Sequence, residues 1–173
     1  MRGRTMTLTL AAVAMAIVVG AVPATAMQAG SMMIASADEP STERAHALRA
    51  QAEELFSKPS QWRRAARLLE QSAQLRSADD PGAYTCWMNA ARLQAGMGSF
   101  SAARRNLEKA AAHAVARGEV VDAANAYIDA AHVAVKEGQA HQAVGLIEKA
   151  SLLASSPLLD GEQAARINAR IPD

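Results

Sequence analysis

One cysteine, Cys86, is all this chain of 173 residues contains. A single thiol makes no internal disulfide, so packing alone has to hold the fold. Cys86 stands beside Trp87 in a helical pattern and is expected to be a small buried hydrophobe, not a reactive group. Aromatic residues are scarce too, at two Trp, two Tyr and two Phe. A core so poor in large side chains must be built from alanine with some Leu, Ile and Met. Such a core lets helices approach closely and leaves little room for a buried cofactor. Strand-like alternation is missing, as are β-branched runs joined by Asn-Gly or Asp-Gly turns. A charge surplus is missing as well. Setting aside Arg2 and Arg4 leaves 16 Lys and Arg against 17 Asp and Glu, a net charge of −1. That balance gives no electrostatic reason to bind nucleic acid or an anionic membrane surface.

The motifs of catalysis are absent. The chain has no H-E-x-x-H, no G-x-S-x-G elbow, no P-loop and no Rossmann glycine pattern. His46, His113, His132 and His141 include no i, i+4 pair of the kind that holds a metal on one helix. Asp79-Asp80 lies in a Pro-Gly loop without a histidine partner and is expected to be solvated loop charge. Arg63-Arg64 and Arg104-Arg105 are expected on an outer, solvent-facing side. Met27, Met32 and Met33 have no histidine or cysteine near them, so a soft-metal site is not expected. The expectation is therefore a protein that is not an enzyme and carries no cofactor and no metal.

Only one long apolar run is present, from Met6 to Val22, broken by Thr7, Thr9 and Gly20. Arg2 and Arg4 precede it, and Pro23 with Ala24-Thr25-Ala26 follows. This is the order of a secretory signal peptide, expected over 1–26 with cleavage after Ala26 into the periplasm or the extracellular space. An uncleaved membrane anchor is the alternative. A second small-residue triplet, Ala35-Ser36-Ala37, lies too far from the run to rank equally. The polar stretch 27–42 is expected to be a flexible lead-in.

What the chain does have is a repeated phrase. Leu69-Glu70-Gln71-Ser72 returns as Leu107-Glu108-Lys109-Ala110 and as Ile147-Glu148-Lys149-Ala150. Each phrase comes one helical turn after an alanine, and those alanines, Ala65, Ala103 and Ala143, are almost evenly spaced. A period of roughly 40 residues means stacked supersecondary units, because one unit cannot bury its own apolar face. Helical spacing appears from Ser41 onward, with Ala45, Leu48, Ala52, Leu55 and Phe56 on one face. A second helix carries Trp62, Ala65, Ala66, Leu68, Leu69 and Leu75, and the segment 77–82 is a break. Further helices are expected at about 83–95, 100–116, 119–136 and 140–154, with Gly98, Gly118 and Gly138 at their turns. A closing helix at 161–171 carries Ala164, Ala165, Ile167 and Ile171.

These spacings resemble the tetratricopeptide repeat family, whose units read W-x2-L-G-x2-Y and then A-x3-F. Trp87 falls on the tryptophan position, with Ala90 and Ala91 on the Leu-Gly pair. Gly98-Ser99-Phe100 resembles the family's turn, and Ala103, Leu107 and Ala110 take the second-helix positions. The next unit places Tyr127, Ala130, Ala131, Gly138, Ala143, Ile147 and Ala150. The first unit, with Arg49, Ala52, Glu53, Phe56, Ala65 and Leu69, has no turn glycine. The likeness covers about Ala45 to Leu159. It departs from the family in its longer period, in Gln94 and Ala134 at the tyrosine position, and in Val115 where a proline usually stands. It implies an all-α domain over 43–173: three antiparallel helix hairpins at about 45–78, 83–117 and 119–156, stacked as a short right-handed superhelix and closed by the 161–171 helix.

The resemblance also implies a peptide-binding groove lined by first-helix residues: Gln51, Glu54, Asn89, Arg92, Asn125, Asp129, His132 and Lys136. Family members that clamp a terminal carboxylate do so with lysine and asparagine. Here Ala50 and Glu54 stand in the first unit, so that specificity is not carried over. The implied function is a scaffold that binds a peptide or helix of another envelope or secreted protein, with no nucleic acid and no stable membrane span after cleavage. Two alternatives stay open. One is a small-ligand or metal-binding bundle using Asp129 and His132, which are spaced i, i+3. The other is self-assembly into a homo-oligomer through repeat surfaces.

Overall fold

The computed structural model describes residues 41–171. The expected signal peptide and all but the last two residues of the expected lead-in lie outside the described residues. Among the described residues the chain forms seven α-helices and no strand. α1 spans 41–53, and a 3-10 turn at Pro59–Gln61 leads into α2, Trp62–Gln74. The remainder are α3 (Pro81–Gly96), α4 (Phe100–Ala116), α5 (Val120–Lys136), α6 (Ala140–Ala154) and α7 (Gly161–Asn168). From α2 to α6 each helix packs on its neighbours in sequence, and α7 lies on α6 and α5.

The turn glycines set this order. Gly98, Gly118 and Gly138 have φ of 73°, 73° and 79°. At each, the residue after the glycine donates its N–H across the turn: Ser99 to the Gln94 carbonyl at 2.8 Å, Glu119 to Ala114 at 2.9 Å, Gln139 to Ala134 at 2.8 Å. The glycine N–H meets Ala95, Val115 and Val135 in turn, each at 3.0 Å. This paired closure satisfies the last carbonyls of a helix and requires a left-handed residue that only glycine adopts without strain. The three turns are evenly spaced along the chain. They make α3–α4 and α5–α6 equivalent hairpins, in register when Gly138 is laid on Gly98.

Three boundaries differ from the sequence expectation. α1 ends at residue 53, so Leu55 and Phe56 pack on the core from the following turn. There the Trp62 indole N–H donates to the Phe56 carbonyl at 2.8 Å. α3 begins two residues early, because Pro81 suits the first helical position and Asp80 accepts the Gly82 N–H at 2.7 Å as N-cap. α7 stops at Asn168 and not at 171. Asp160 and Gln163 close a reciprocal capping box at its start. Ser99 is the N-cap residue of α4, but its hydroxyl makes no capping hydrogen bond.

The core is largely alanine. Ala45, Ala52, Ala65, Ala90, Ala103, Ala110, Ala123 and Ala130 are wholly buried, with Leu69 and Ile128 the largest side chains fully enclosed. Cys86 is buried, as expected. Polar ties run between the alanine faces. The buried Ser72 hydroxyl donates to the Ala45 carbonyl at 2.7 Å and joins α2 to α1. The Asn106 amide on α4 donates to Glu70 of α2 (2.7 Å) and to Gln94 of α3 (2.9 Å), and Gln94 donates to the same Glu70 oxygen at 2.7 Å. The repeated phrase has a repeated role: Lys109 sits over the Trp87 ring and Lys149 over Tyr127, with ammonium-to-centroid distances of 4.4 and 5.4 Å.

Two charge expectations are corrected. Arg104 is not a solvent contact. Its side chain is 16% exposed and bridges Glu108 (2.7 Å) and Glu137 (3.2 Å), whereas Arg63, Arg64 and Arg105 are exposed. Asp80 is not free loop charge either. It pairs at 2.6 Å with Arg76, whose side chain is almost fully buried. Burial opposes the Asp80 charge, but the Gly82 N–H and the Arg76 guanidinium outweigh it and hold the pKa below the ordinary carboxylate value.

Two glycine substitutions should move stability in opposite directions. Gly138→Ala should cost about 1 kcal/mol, because an L residue at positive φ is strained. Gly145, inside α6, has no neighbour within 4 Å of an added Cβ. Gly145→Ala should therefore stabilise by roughly 0.5–1 kcal/mol. Urea unfolding of both variants, followed by circular dichroism, reads the sign directly.

Candidate functional site

α3 and α5 each present one side to a shared cleft of about 210 Å³. Its floor is apolar: Met88, Ala91 and Ala95 from α3, Leu107 from α4 and Val133 from α5. Its rim carries Arg92 from α3, with Asp129 and His132 from α5. Helical spacing explains the rim. Ala130 and Ala134 are buried, so Asp129 and His132, set off from them around the helix, lie at the edge of the packed face. Ala90 and Ala91 on α3 place Arg92 at the opposite edge in the same way.

The cleft gathers some of the expected groove residues and leaves others apart. Arg92, Asp129 and His132 line it together. Asn89 touches Arg92 with its side-chain oxygen, which accepts from the guanidinium at 3.5 Å. Lys136 is exposed one turn beyond His132 and does not line the cleft. Gln51 on α1 and Glu54 in the turn after it are exposed and are not among its walls. Asn125 and Asp129 already have a partner within the chain. Arg170, just past α7, donates to the Asn125 side-chain oxygen and to Asp129 Oδ1, the latter at 2.7 Å.

Arg170 does not line the cleft but holds its Asp129, a contact that the sequence did not indicate. Its contacts span 41 and 45 residues of sequence, and no local pattern encodes a pairing of that range. Tyr84, also outside the cleft lining, makes another such long-range contact. It is half-buried on α3, and its hydroxyl points at the Asp122 carbonyl of α5 at 3.5 Å. Burial, with the nearby Asp122 and Asp129 carboxylates, pushes its phenol from 10.0 to about 12. Asp122 is raised in turn, by burial and then by Glu119. At the start of α5, Glu119 is held low by Arg117, 2.7 Å away, against a smaller cost of burial.

No family model matches this chain, and no curated protein matches it in sequence. What the cleft can do is therefore argued from its own geometry. An apolar floor with one cation, one carboxylate shared with Arg170 and one imidazole at the rim suits a peptide that buries a small side chain and places polar groups along the edges. Among the described residues no three His, Cys, Asp or Glu side chains are grouped to hold a metal ion. No described helix is long and apolar enough to cross a membrane.

Tyr84 supplies a check on this geometry. Its folded pKa exceeds its ordinary value of 10.0. The phenol's contribution to stability is thus complete below pH 10 and is lost as the pH rises through about 12. Ultraviolet titration of tyrosinate should show a transition near pH 12 that Tyr84→Phe removes. A wild-type chain without it would place the hydroxyl in solvent.

Proposed function

We propose that the chain is an exported, non-enzymatic scaffold of tetratricopeptide-like architecture that holds a peptide or short helix of another envelope or secreted protein in the cleft between α3 and α5. The observation that carries this reading is the cleft's make-up: an apolar floor from Met88, Ala91, Ala95, Leu107 and Val133, rimmed by Arg92, Asp129 and His132. Equivalent hairpins, with matching glycine turns at Gly98 and Gly138, support the repeat architecture, and a short superhelix is the stacking such units favour. Export rests on the basic start, the apolar run and the Ala24-Thr25-Ala26 triplet of the sequence. The absence of a nucleophile–base pair in the sequence supports a binding role.

Binding of this kind draws its energy from a few buried anchors, with rim charges adding steering and selectivity. Arg92 is exposed, with one long contact to Asn89, and Lys136 is exposed beside the same face. They are the cations that an acidic partner segment would meet first. Reversing them removes attraction without disturbing the alanine core.

Affinity capture from an extract of the native envelope should retain one dominant protein on the wild-type chain. The double variant Arg92→Glu/Lys136→Glu should lose it, with unchanged helicity by circular dichroism. Equal capture by both chains would take the cleft out of the mechanism.

A further inference from the structure

Because α5–α6 repeats α3–α4, with Gly138 the counterpart of Gly98, every position on one hairpin has a counterpart on the other. On α3–α4 one face has α5 beside it. α5 packs along α4, Glu137 at its end bridges to Arg104 at 3.2 Å, and Asp129, His132 and Val133 from its second half line a cleft with Ala91, Ala95 and Leu107. The counterparts of Ala91, Ala103, Leu107 and Ala95 on α5–α6 are Ala131, Ala143, Ile147 and Val135. Together with Ala140, Val144, His132 and Glu148 they line an apolar groove of about 440 Å³.

α7 covers the other end of this hairpin. Ile167 packs with Ala124, Ile128, Ala150 and Ala154. Glu119 and Asp160 are the N-cap residues of α5 and α7, so the 8 residues of α7 correspond to the first half of the 17 in α5. Among the described residues nothing takes the place of that helix's second half.

Five of the eight groove-lining positions differ between the hairpins: Arg92 becomes His132, Phe100 becomes Ala140 and Leu107 becomes Ile147, and two further exchanges bring exposed valine into the groove. Ala95 is replaced by Val135 and Arg104 by Val144, and these valines are 63% and 58% exposed. A terminal repeat ordinarily turns a polar face outward; this one is more apolar than its inner counterpart. Arg104 bridges Glu108 on its own helix and Glu137 at the end of α5. Val144 removes that cation, while Glu148, the counterpart of Glu108, remains. Glu148 makes no ion pair among the described residues.

We propose that this groove docks an amphipathic helix of another protein, which lays small apolar side chains over Ala131, Val135, Ala143 and Ile147 and brings an arginine or lysine to Glu148. A helix is the occupant because the same surface, one repeat earlier, has one beside it: α5, which packs on α4 and brings Glu137 to Arg104. The missing partner of Glu148 supplies the charge. A second copy of this chain fits poorly, since the outer side of α1 is polar, with Arg44, His46, Gln51 and Glu53 exposed. The groove adjoins the proposed peptide cleft at His132, which lines both, but Val144 and Glu148 belong to the groove alone and Arg92 to the cleft alone.

The test uses a synthetic peptide with the sequence of residues 120–139, the helix that lies beside the inner face, and the same peptide carrying Glu137→Arg. In the inner hairpin Glu137 meets Arg104, so an arginine there falls beside Val144 and Glu148. Fluorescence anisotropy with the purified chain should show the Glu137→Arg peptide binding about tenfold more tightly than the parent. Val144→Asp and Glu148→Lys in the chain should each weaken it about tenfold. Val144 is exposed and Glu148 makes no ion pair, so folding is spared. Arg92→Glu should leave this binding intact, which separates its fate from that of the peptide cleft. Three results would overturn the proposal: no binding of either peptide, binding indifferent to Val144→Asp, or a dimer in sedimentation that Val144→Asp dissociates.

Discussion

Close approach of helices through alanine is the constraint on which everything else rests. Where a side chain is a single methyl, two helices meet almost backbone to backbone, and there is no slack to absorb a larger group. Ala65, Ala103 and Ala110, wholly buried on the second helices of their hairpins, show this directly. Such faces are tight but alike, because one alanine surface slides against another with little change in contact. Polar bonds supply the discrimination. The Ser72–Ala45 bond, the Glu70–Gln94–Asn106 triangle and the Arg104 bridge each join helices at one register only. Buried polar groups carry a penalty whenever they lose their partners, so they penalise every alternative alignment.

Repetition preserves this frame and varies what it shows. Lys109 and Lys149 lie over Trp87 and Tyr127, and glycine turns recur at even spacing, at Gly98, Gly118 and Gly138. The outward positions drift. Arg92 becomes His132, Ala95 becomes Val135 and Arg104 becomes Val144. Successive helix pairs thereby carry two different recesses: a cleft with a charged rim between α3 and α5, and an apolar groove on α5–α6.

Arg170 joins the last helix to this scheme. By holding Asn125 and Asp129 it seats the chain beyond α7 on the face of α5 that also feeds the cleft. The acidic side of the rim is thus partly neutralised from within, and Arg92 and Lys136 are left to give the face its sign.

The helices, their turns and the alanine faces were legible in the sequence because all three are local. Apolar residues at three- and four-residue steps, glycines at three successive turns and a phrase returning after Ala65, Ala103 and Ala143 are signals that need no knowledge of the packing, and α4 and α6 carry the expected bounds. Missed boundaries were decided by partners or caps: Asp80 with Pro81 at α3, and the Trp62–Phe56 bond after α1. Gln51 and Glu54 shared a helix-face position with Arg92 and Asp129 but not a location, since the face a residue occupies is a local property and the helix opposite it is not. The sequence by itself determined an all-helical chain with glycine-marked turns and small-residue faces, because periodicity and turn chemistry act over a few residues. Only the tertiary structure decided that Arg104 is bridged, that Arg170 reaches Asp129 and that Val135 and Val144 line an open groove, because each depends on where a helix distant in sequence comes to rest.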